Sequence, residues 1–234
     1  MIHLDDVTVV VPASRRREPD RTLLSTITLT LSQQRICIIG ANGSGKSTLL
    51  RLLNGLRLPT TGTVTAGGFD TATHGRQVRT RVGFIFTDPL AQLVMSTPVE
   101  DVELSLRGRI KGRANRATEA MRLLEERTLG HLAHQSIHDL SGGERQLVAL
   151  TSVLAVEPEI IVADEPTTLL DLRNKLALRE TFAALPQQLI FSTHDMDVAS
   201  DAERVLVVDD GKLVADGEPA AAISFYERSM AGTR

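Results

Sequence analysis

Three short stretches of the chain carry residues suited to phosphate chemistry. The first, Gly40-Ala41-Asn42-Gly43-Ser44-Gly45-Lys46-Ser47-Thr48, has the pattern G-x-x-x-x-G-K-[ST] and stands between the apolar run Ile36-Cys37-Ile38-Ile39 and the segment Leu49-Leu50-Arg51-Leu52-Leu53. A triphosphate needs several donors converging on its oxygens, and backbone N–H groups converge only where side chains leave room. Gly40, Gly43 and Gly45 supply that room. A helix opening at Lys46 or Ser47 adds unpaired N–H groups and the positive end of its dipole. Lys46 is then expected to reach the β- and γ-phosphates, and Ser47 to ligate Mg²⁺. The same residues also suit an ordinary strand-to-helix loop, but strand, loop and helix in this order are the context the motif requires.

The second stretch is Asp164-Glu165, which follows the apolar run Ile160-Ile161-Val162-Ala163. Nucleotide hydrolysis needs a metal-side carboxylate and a group that orients water, so Asp164 is expected in the Mg²⁺ shell and Glu165 beside the attacking water. Adjacent acids after a strand often only begin a loop; a good phosphate cradle upstream favours the functional reading. The third stretch, Leu140-Ser141-Gly142-Gly143-Glu144-Arg145-Gln146, puts Ser and two glycines at the start of a helix whose apolar face runs through Leu147, Leu150 and Leu154. Its N–H groups also point at something negative. One mononucleotide fold has one phosphate site, so a second grip suggests service to a neighbour's nucleotide, in two chains paired head to tail about a two-fold axis. His131, His134 and His138 have no accompanying cysteine and drift around a helix, which reads as a solvated helix end rather than a zinc site.

The elements that must position these groups follow from periodicity. Ile2 to Val11 and Thr22 to Leu31 are β-branched segments, and the second alternates Ile27, Leu29 and Leu31 with Thr26, Thr28, Thr30 and Ser32, as a half-exposed antiparallel sheet requires. Between them lies a charged loop with Arg15, Arg16 and Arg17. Thr63-Val64-Thr65-Ala66 is another exposed strand. Val82 to Phe86, Ile160 to Ala163, Leu189 to Phe191 and Val205 to Val208 are continuously apolar, as strands of a parallel sheet covered on both faces are. Residues from about 97 to 150 read as a helical insert, opened by a capping box at Thr97-Pro98-Val99-Glu100. Asp210-Gly211 reads as a hairpin turn and Pro219 to Tyr226 as a helical tail.

A chain of 234 residues suits one large domain or two small ones, and 42% apolar composition is enough for a substantial core. Lys plus Arg number 26 against 29 Asp plus Glu, and the net charge of −3 excludes long-range attraction to nucleic acid or anionic lipid. Any membrane connection is therefore expected to run through a protein partner. Cys37 lies inside an apolar run and reads as a small core hydrophobe. The chain starts without the basic-then-apolar order of a signal peptide and holds no membrane-length apolar stretch, which places it in the cytoplasm.

The glycine-rich loop, Leu140 to Gln146, Asp164-Glu165 and Ser192-Thr193-His194-Asp195 together closely resemble the ATP-binding cassette (ABC) ATPases over nearly the whole chain. The resemblance implies a single α/β domain over 1–234: a P-loop core with mixed and parallel sheet, an N-terminal antiparallel β subdomain and a helical insert. It implies ATP and Mg²⁺, and two protomers, identical or paralogous, that sandwich two ATP molecules. Ser141 and Gly143, with Gly142 between them, would meet the γ-phosphate held by the opposite chain, and His194 would meet it in cis. Asp171 would belong to the loop linking the two sites. Three positions depart from the family pattern: Val11 stands where an aromatic ring usually stacks on adenine, Thr87 where a Gln usually senses Mg²⁺ and the membrane partner, and Leu169 where a small residue usually precedes Leu-Asp.

Pro89, Gln92, Leu93, Thr97, Asp101 and Val102 match the corresponding loop in ATPases of energy-coupling-factor importers. That resemblance implies an ATPase on the cytoplasmic face of the cell membrane, joined to a transmembrane coupling protein and a substrate-binding membrane subunit, with biotin or cobalt as cargo. Thr87 can still offer a hydroxyl on the metal side, and Gln92 or water is expected to relay to the partner. Two other readings use the same core: a soluble ABC ATPase acting on ribosomes, DNA or iron–sulfur assembly, and a non-hydrolysing ATP-dependent clamp. The first usually adds basic inserts or a second cassette, and Glu165 speaks against the second.

Overall fold

The computed structural model describes residues 1–13 and 19–232. In chain order the elements are β1 (Ile2–Val11), β2 (Arg21–Leu31), β3 (Arg35–Ile39), α1 (Lys46–Leu53), β4 (Thr61–Ala66), β5 (Phe69–Asp70), α2 (Gly75–Arg81), β6 (Val82–Ile85) and α3 (Pro98–Ser105). There follow α4 (Arg113–Glu125), α5 (Gly142–Leu154), β7 (Ile160–Ala163), α6 (Leu172–Ala184), β8 (Gln188–Ser192), α7 (Met196–Ala199), β9 (Arg204–Asp209), β10 (Lys212–Gly217) and α8 (Pro219–Ala231).

Among the described residues these strands form two sheets, a four-stranded one in the order β2-β1-β4-β5 and a six-stranded one in the order β10-β9-β3-β8-β7-β6. The small sheet is antiparallel throughout. On β2, Leu24, Ile27, Leu29 and Leu31 are buried while the threonines between them face out, as the alternation predicts. The large sheet is parallel except for its β9–β10 edge. Asp210 and Gly211 both take positive φ, 43° and 73°, and close that edge as a two-residue hairpin.

Strand β3 shows why a continuous apolar run marks a central strand. Ile36 and Ile38 point into a core shared with the small sheet and α1, whereas Cys37 and Ile39 point into a second core built with α5, α6 and α8. Cys37 is fully buried, and burial pushes its thiol well up, so it packs and does not react. A third core belongs to the insert, where Leu93, Val102, Leu106, Leu124 and Leu132 pack on Val148 and Ala149 of α5. Helix α5 turns Leu150, Val153 and Leu154 to the sheet and therefore joins the insert to the main body.

Three local expectations need correction. The capping box at Thr97 does not form, because the Thr97 hydroxyl donates to Glu100 Oε2 at 3.0 Å instead of accepting from the helix backbone. Phe86 lies just beyond β6, and the tail helix runs on past Tyr226 to Ala231. Arg15, Arg16 and Arg17 lie outside the described residues.

Candidate functional site

Parallel strands present their carboxyl ends on one edge, and a ligand crevice opens there. β3 delivers the glycine-rich loop to that edge, β7 delivers Asp164 and Glu165, β8 delivers Ser192 to His194, and β6 delivers Phe86 and Thr87. The loop is shaped by close approach. A Cβ on Gly40 would lie 2.1 Å from the Val208 carbonyl oxygen, and one on Gly45, at φ 114°, would lie 2.9 Å from a Leu24 methyl. Gly45 is the N-cap of α1 and makes no side-chain cap, which leaves the first-turn N–H groups open for an anion. Beneath the loop sits the β9–β10 hairpin: Gly211 N–H donates to Ser44 O at 2.8 Å, and Ser25 N–H donates to Gly211 O at 2.8 Å.

The Lys46 ammonium is buried and donates to the carbonyls of Gly40 at 2.8 Å and Ala41 at 3.1 Å. It also stands 3.7 Å from Glu165 Oε1. Asp164 Oδ1 accepts from Ser47 Oγ at 3.0 Å and from Ser192 Oγ at 2.9 Å. These hydroxyl and carboxylate oxygens are hard donors that fit Mg²⁺, which takes one or two protein ligands beside phosphates and waters. Glu165 adopts φ 47°, a left-handed conformation that costs a non-glycine residue about 1 kcal/mol or more. Its neighbours hold it there. Glu165 N–H donates to Ser192 Oγ at 3.0 Å, Thr168 Oγ1 donates to Glu165 Oε2 at 2.9 Å, and His194 Nδ1 lies 3.2 Å from the same oxygen.

Between the glycine-rich loop and Glu165 opens a cleft of about 260 Å³. Asn42, Gly43, Lys46, Ser47 and Thr48 line it, but Ser141, Gly142 and Gly143 do not. Those three occupy a separate surface. Ser141 caps α5 in a full capping box: its Oγ accepts from Glu144 N–H, while Glu144 Oε2 accepts from both the N–H and the hydroxyl of Ser141, each at 2.7 Å. A Cβ on Gly143 would lie 2.3 Å from the Asn174 side chain, so this turn packs against the start of α6. Asp171 Oδ1 caps α6 by accepting from Asn174 N–H at 2.8 Å. Around it Leu169 and Leu172 are 59% and 71% exposed, an apolar rim beside the second grip.

The remaining expectations divide. Thr87 is in the site, with its hydroxyl donating to the Asp164 carbonyl at 2.8 Å and its lone pairs still available. Gln92 Oε1 accepts from Phe86 N–H at 3.2 Å and its Nε2 donates to Ala149 O at 3.1 Å, so the amide clamps the loop to α5. Val11 does not line the cleft. Its antiparallel partner Arg21 does, together with Leu23. Sequence reading missed both, because only the β1–β2 register turns them to the glycine-rich loop.

A P-loop nucleoside triphosphatase with a helical insert between β6 and β7 is the class that these elements define. The model of the ABC transporter family matches residues 24–168. The biotin transport ATP-binding protein BioM of Rhizobium etli is 42% identical over 211 residues, covering 90% of this chain and 94% of that protein. The energy-coupling factor transporter ATP-binding protein EcfA1 of Halalkalibacterium halodurans is 39% identical over 198 residues, 82% of this chain and 70% of that protein. Among solved structures, the dimeric ATP-binding cassette MJ0796 in a post-hydrolysis state with ADP and Pi superposes with a TM-score of 0.81 at 28% identity, over 94% of this chain and 99% of that one. The chain belongs to the ABC transporter ATP-binding family, and it is an ATP-binding, ATP-hydrolysing enzyme.

Proposed function

We propose that this chain energises an energy-coupling-factor importer for a vitamin or metal ion, with biotin or cobalt as the cargo class. The observation that carries this reading is the end-to-end similarity to BioM, whose name assigns it to biotin transport, supported by the similarity to EcfA1. The match of Pro89, Gln92, Leu93, Thr97, Asp101 and Val102 to the importer-type loop supports it further.

In this reading the residues 40–48 bind the triphosphate, with Lys46 exchanging its Gly40 and Ala41 carbonyl partners for the β- and γ-phosphate oxygens. Ser47 and Asp164 would hold Mg²⁺, with Thr87 beside Asp164, and the ion supplies charge neutralisation of the phosphates. Glu165 orients a water and accepts its proton as the water oxygen bonds to the γ-phosphorus and the bond to the bridging oxygen breaks, leaving ADP and phosphate. His194, already beside Glu165, steadies the γ-phosphate end.

Ser141, Gly142 and Gly143 lie away from their own chain's cleft, which favours a head-to-tail pair in which they grip the partner's γ-phosphate and Asp171 joins the two sites. The pair is two copies of this chain or one copy with a paralogue. No helix among the described residues is long and apolar enough to cross a membrane. Attachment to the cytoplasmic face then runs through a transmembrane coupling protein, which in turn carries a substrate-binding membrane subunit. The test is co-purification in mild detergent followed by uptake of labelled biotin and of Co²⁺ into vesicles holding the complex. ATP-dependent uptake of one of them supports the proposal; a chain that brings down no membrane protein and drives no uptake sinks it.

A further inference from the structure

The P-loop and Glu165 account for one end of the cleft, the end that takes the triphosphate. Among the described residues, the others lining it are Arg21 and Leu23, at the start of β2. A nucleotide seated with its β- and γ-phosphates against Lys46 and Ser47 must leave the P-loop by its nucleoside end, and Arg21 and Leu23 are the described wall on that side. No aromatic ring among the described residues lines the cleft. Arg21 is the cross-strand partner of Val11, so it stands one strand over from the position where the family usually carries its adenine-stacking ring. Its side chain is exposed and makes no hydrogen bond or ion pair among the described residues. Leu23 is half-buried on the same face, and its carbonyl packs against the positions of Gly45 and Gly211, which fixes β2 to the P-loop turn.

We infer that Arg21 is the base-binding residue of this cassette: its planar guanidinium stacks on the purine face of the bound nucleotide, over an apolar floor made by Leu23. A guanidinium is flat and weakly hydrated, and it stacks on π-systems as well as attracting charge. Stacking reads the π-face rather than the base edges, so the site accepts purine nucleoside triphosphates with little preference between adenine and guanine. The inference rests on the nucleotide reading of the cleft and adds the group that replaces the missing ring.

The alternative use of Arg21 is a charge contact to the α-phosphate, and calorimetry on the full chain separates the two. The titrants are ATP, GTP and inorganic tripolyphosphate, and the proteins are the parent, Arg21→Ala, Arg21→Lys and Arg21→Tyr. The stacking role predicts that Arg21→Ala weakens ATP and GTP about tenfold and leaves tripolyphosphate unchanged. Arg21→Lys, which keeps the charge and loses the plane, does not restore ATP affinity, whereas Arg21→Tyr does. Equal weakening of ATP and tripolyphosphate in Arg21→Ala, or full restoration by Arg21→Lys, overturns stacking in favour of a phosphate contact. Unchanged ATP affinity in Arg21→Ala overturns any nucleotide role for the residue. A parent chain that binds neither ATP nor tripolyphosphate would instead overturn the nucleotide reading itself, and this inference with it.

Discussion

Two glycine-rich turns in this chain open helices, and they present their N-termini in opposite ways. At α1 the N-cap is Gly45 in a left-handed conformation with no side-chain cap, so the first-turn N–H groups stay open. At α5 the N-cap is Ser141, which closes a reciprocal box with Glu144. The first end has the open N–H groups that suit an anion, preorganised within one chain and flanked by a buried ammonium and by the Asp164 and Glu165 carboxylates. The second end satisfies itself and puts a carboxylate where a phosphate would approach. A phosphate reaching Ser141 must therefore take the hydroxyl from Glu144 Oε2. Similar sequence signals thus produce one site that is ready and one that is latched.

The largest effect should come from breaking the ready site at its proposed catalytic carboxylate. On the proposed mechanism Glu165→Gln removes the group that accepts the water's proton while leaving the phosphate cradle intact. Turnover should fall by about 10²–10⁴-fold, with ATP affinity retained and an ATP-bound dimer accumulating on gel filtration. Parental turnover in this variant would remove Glu165 from the mechanism. Lys46→Ala comes next. It deletes charge-assisted contacts worth about 1.5–3 kcal/mol each, so ATP affinity should weaken by roughly two orders of magnitude in calorimetry. Unchanged affinity would mean that the α1 end does not bind phosphate.

The contrast between the two helix ends also marks how far sequence reading reached. Strand β3, its glycine-rich turn and α1 were legible because burial on both faces leaves a continuous apolar run, and the motif opens with Gly40, where the Val208 carbonyl collides with any Cβ. Asp164, Glu165 and His194 were legible as residues placed at strand ends. Their cross-links were not, since Ser192 reaches from β8 to the Glu165 N–H and the Asp164 carboxylate at the end of β7, a contact made through space. Thr97 carried a capping-box pattern that its own hydroxyl spends on Glu100, whereas the box that does form, at Ser141, was hidden under its phosphate-binding reading. The register of β1 on β2 brings Arg21 to the cleft, and a register is a tertiary fact that no local period encodes. The hairpin Asp210-Gly211 was visible as a turn but not as the prop under Ser44.

Gln92 ties the two helix ends together, linking the end of β6 at the ready site to α5 behind the latched one. Gln92→Ala leaves Phe86 N–H without its partner and takes from the Ala149 carbonyl the contact it makes beyond the α5 ladder, and an orphaned group costs about 1–3 kcal/mol where water cannot replace the partner. Both groups are only partly buried, so the expected loss is about 2 kcal/mol in urea unfolding. ATP affinity of the folded chain should stay at the parental value. A variant of parental stability that loses only transport-linked turnover would return Gln92 to the relay role that its position in the sequence suggested.

The smallest effect concerns the latch itself. Hydrogen bonds from the Ser141 hydroxyl, and then from its N–H, hold the Glu144 carboxyl below the usual glutamate range. Because the folded value is depressed, the latch contributes its stability above the unfolded pKa and loses it as pH falls through the lowered folded value. At neutral pH the latch is therefore fully closed, and acid alone should release Ser141 without unfolding α5, whose remaining bonds do not titrate. Carbon-13 NMR of the Glu144 carboxyl should show a midpoint below the usual glutamate range, and Ser141→Ala should move it back up. A midpoint that ignores Ser141→Ala would mean that the hydroxyl is not held by Glu144 in solution.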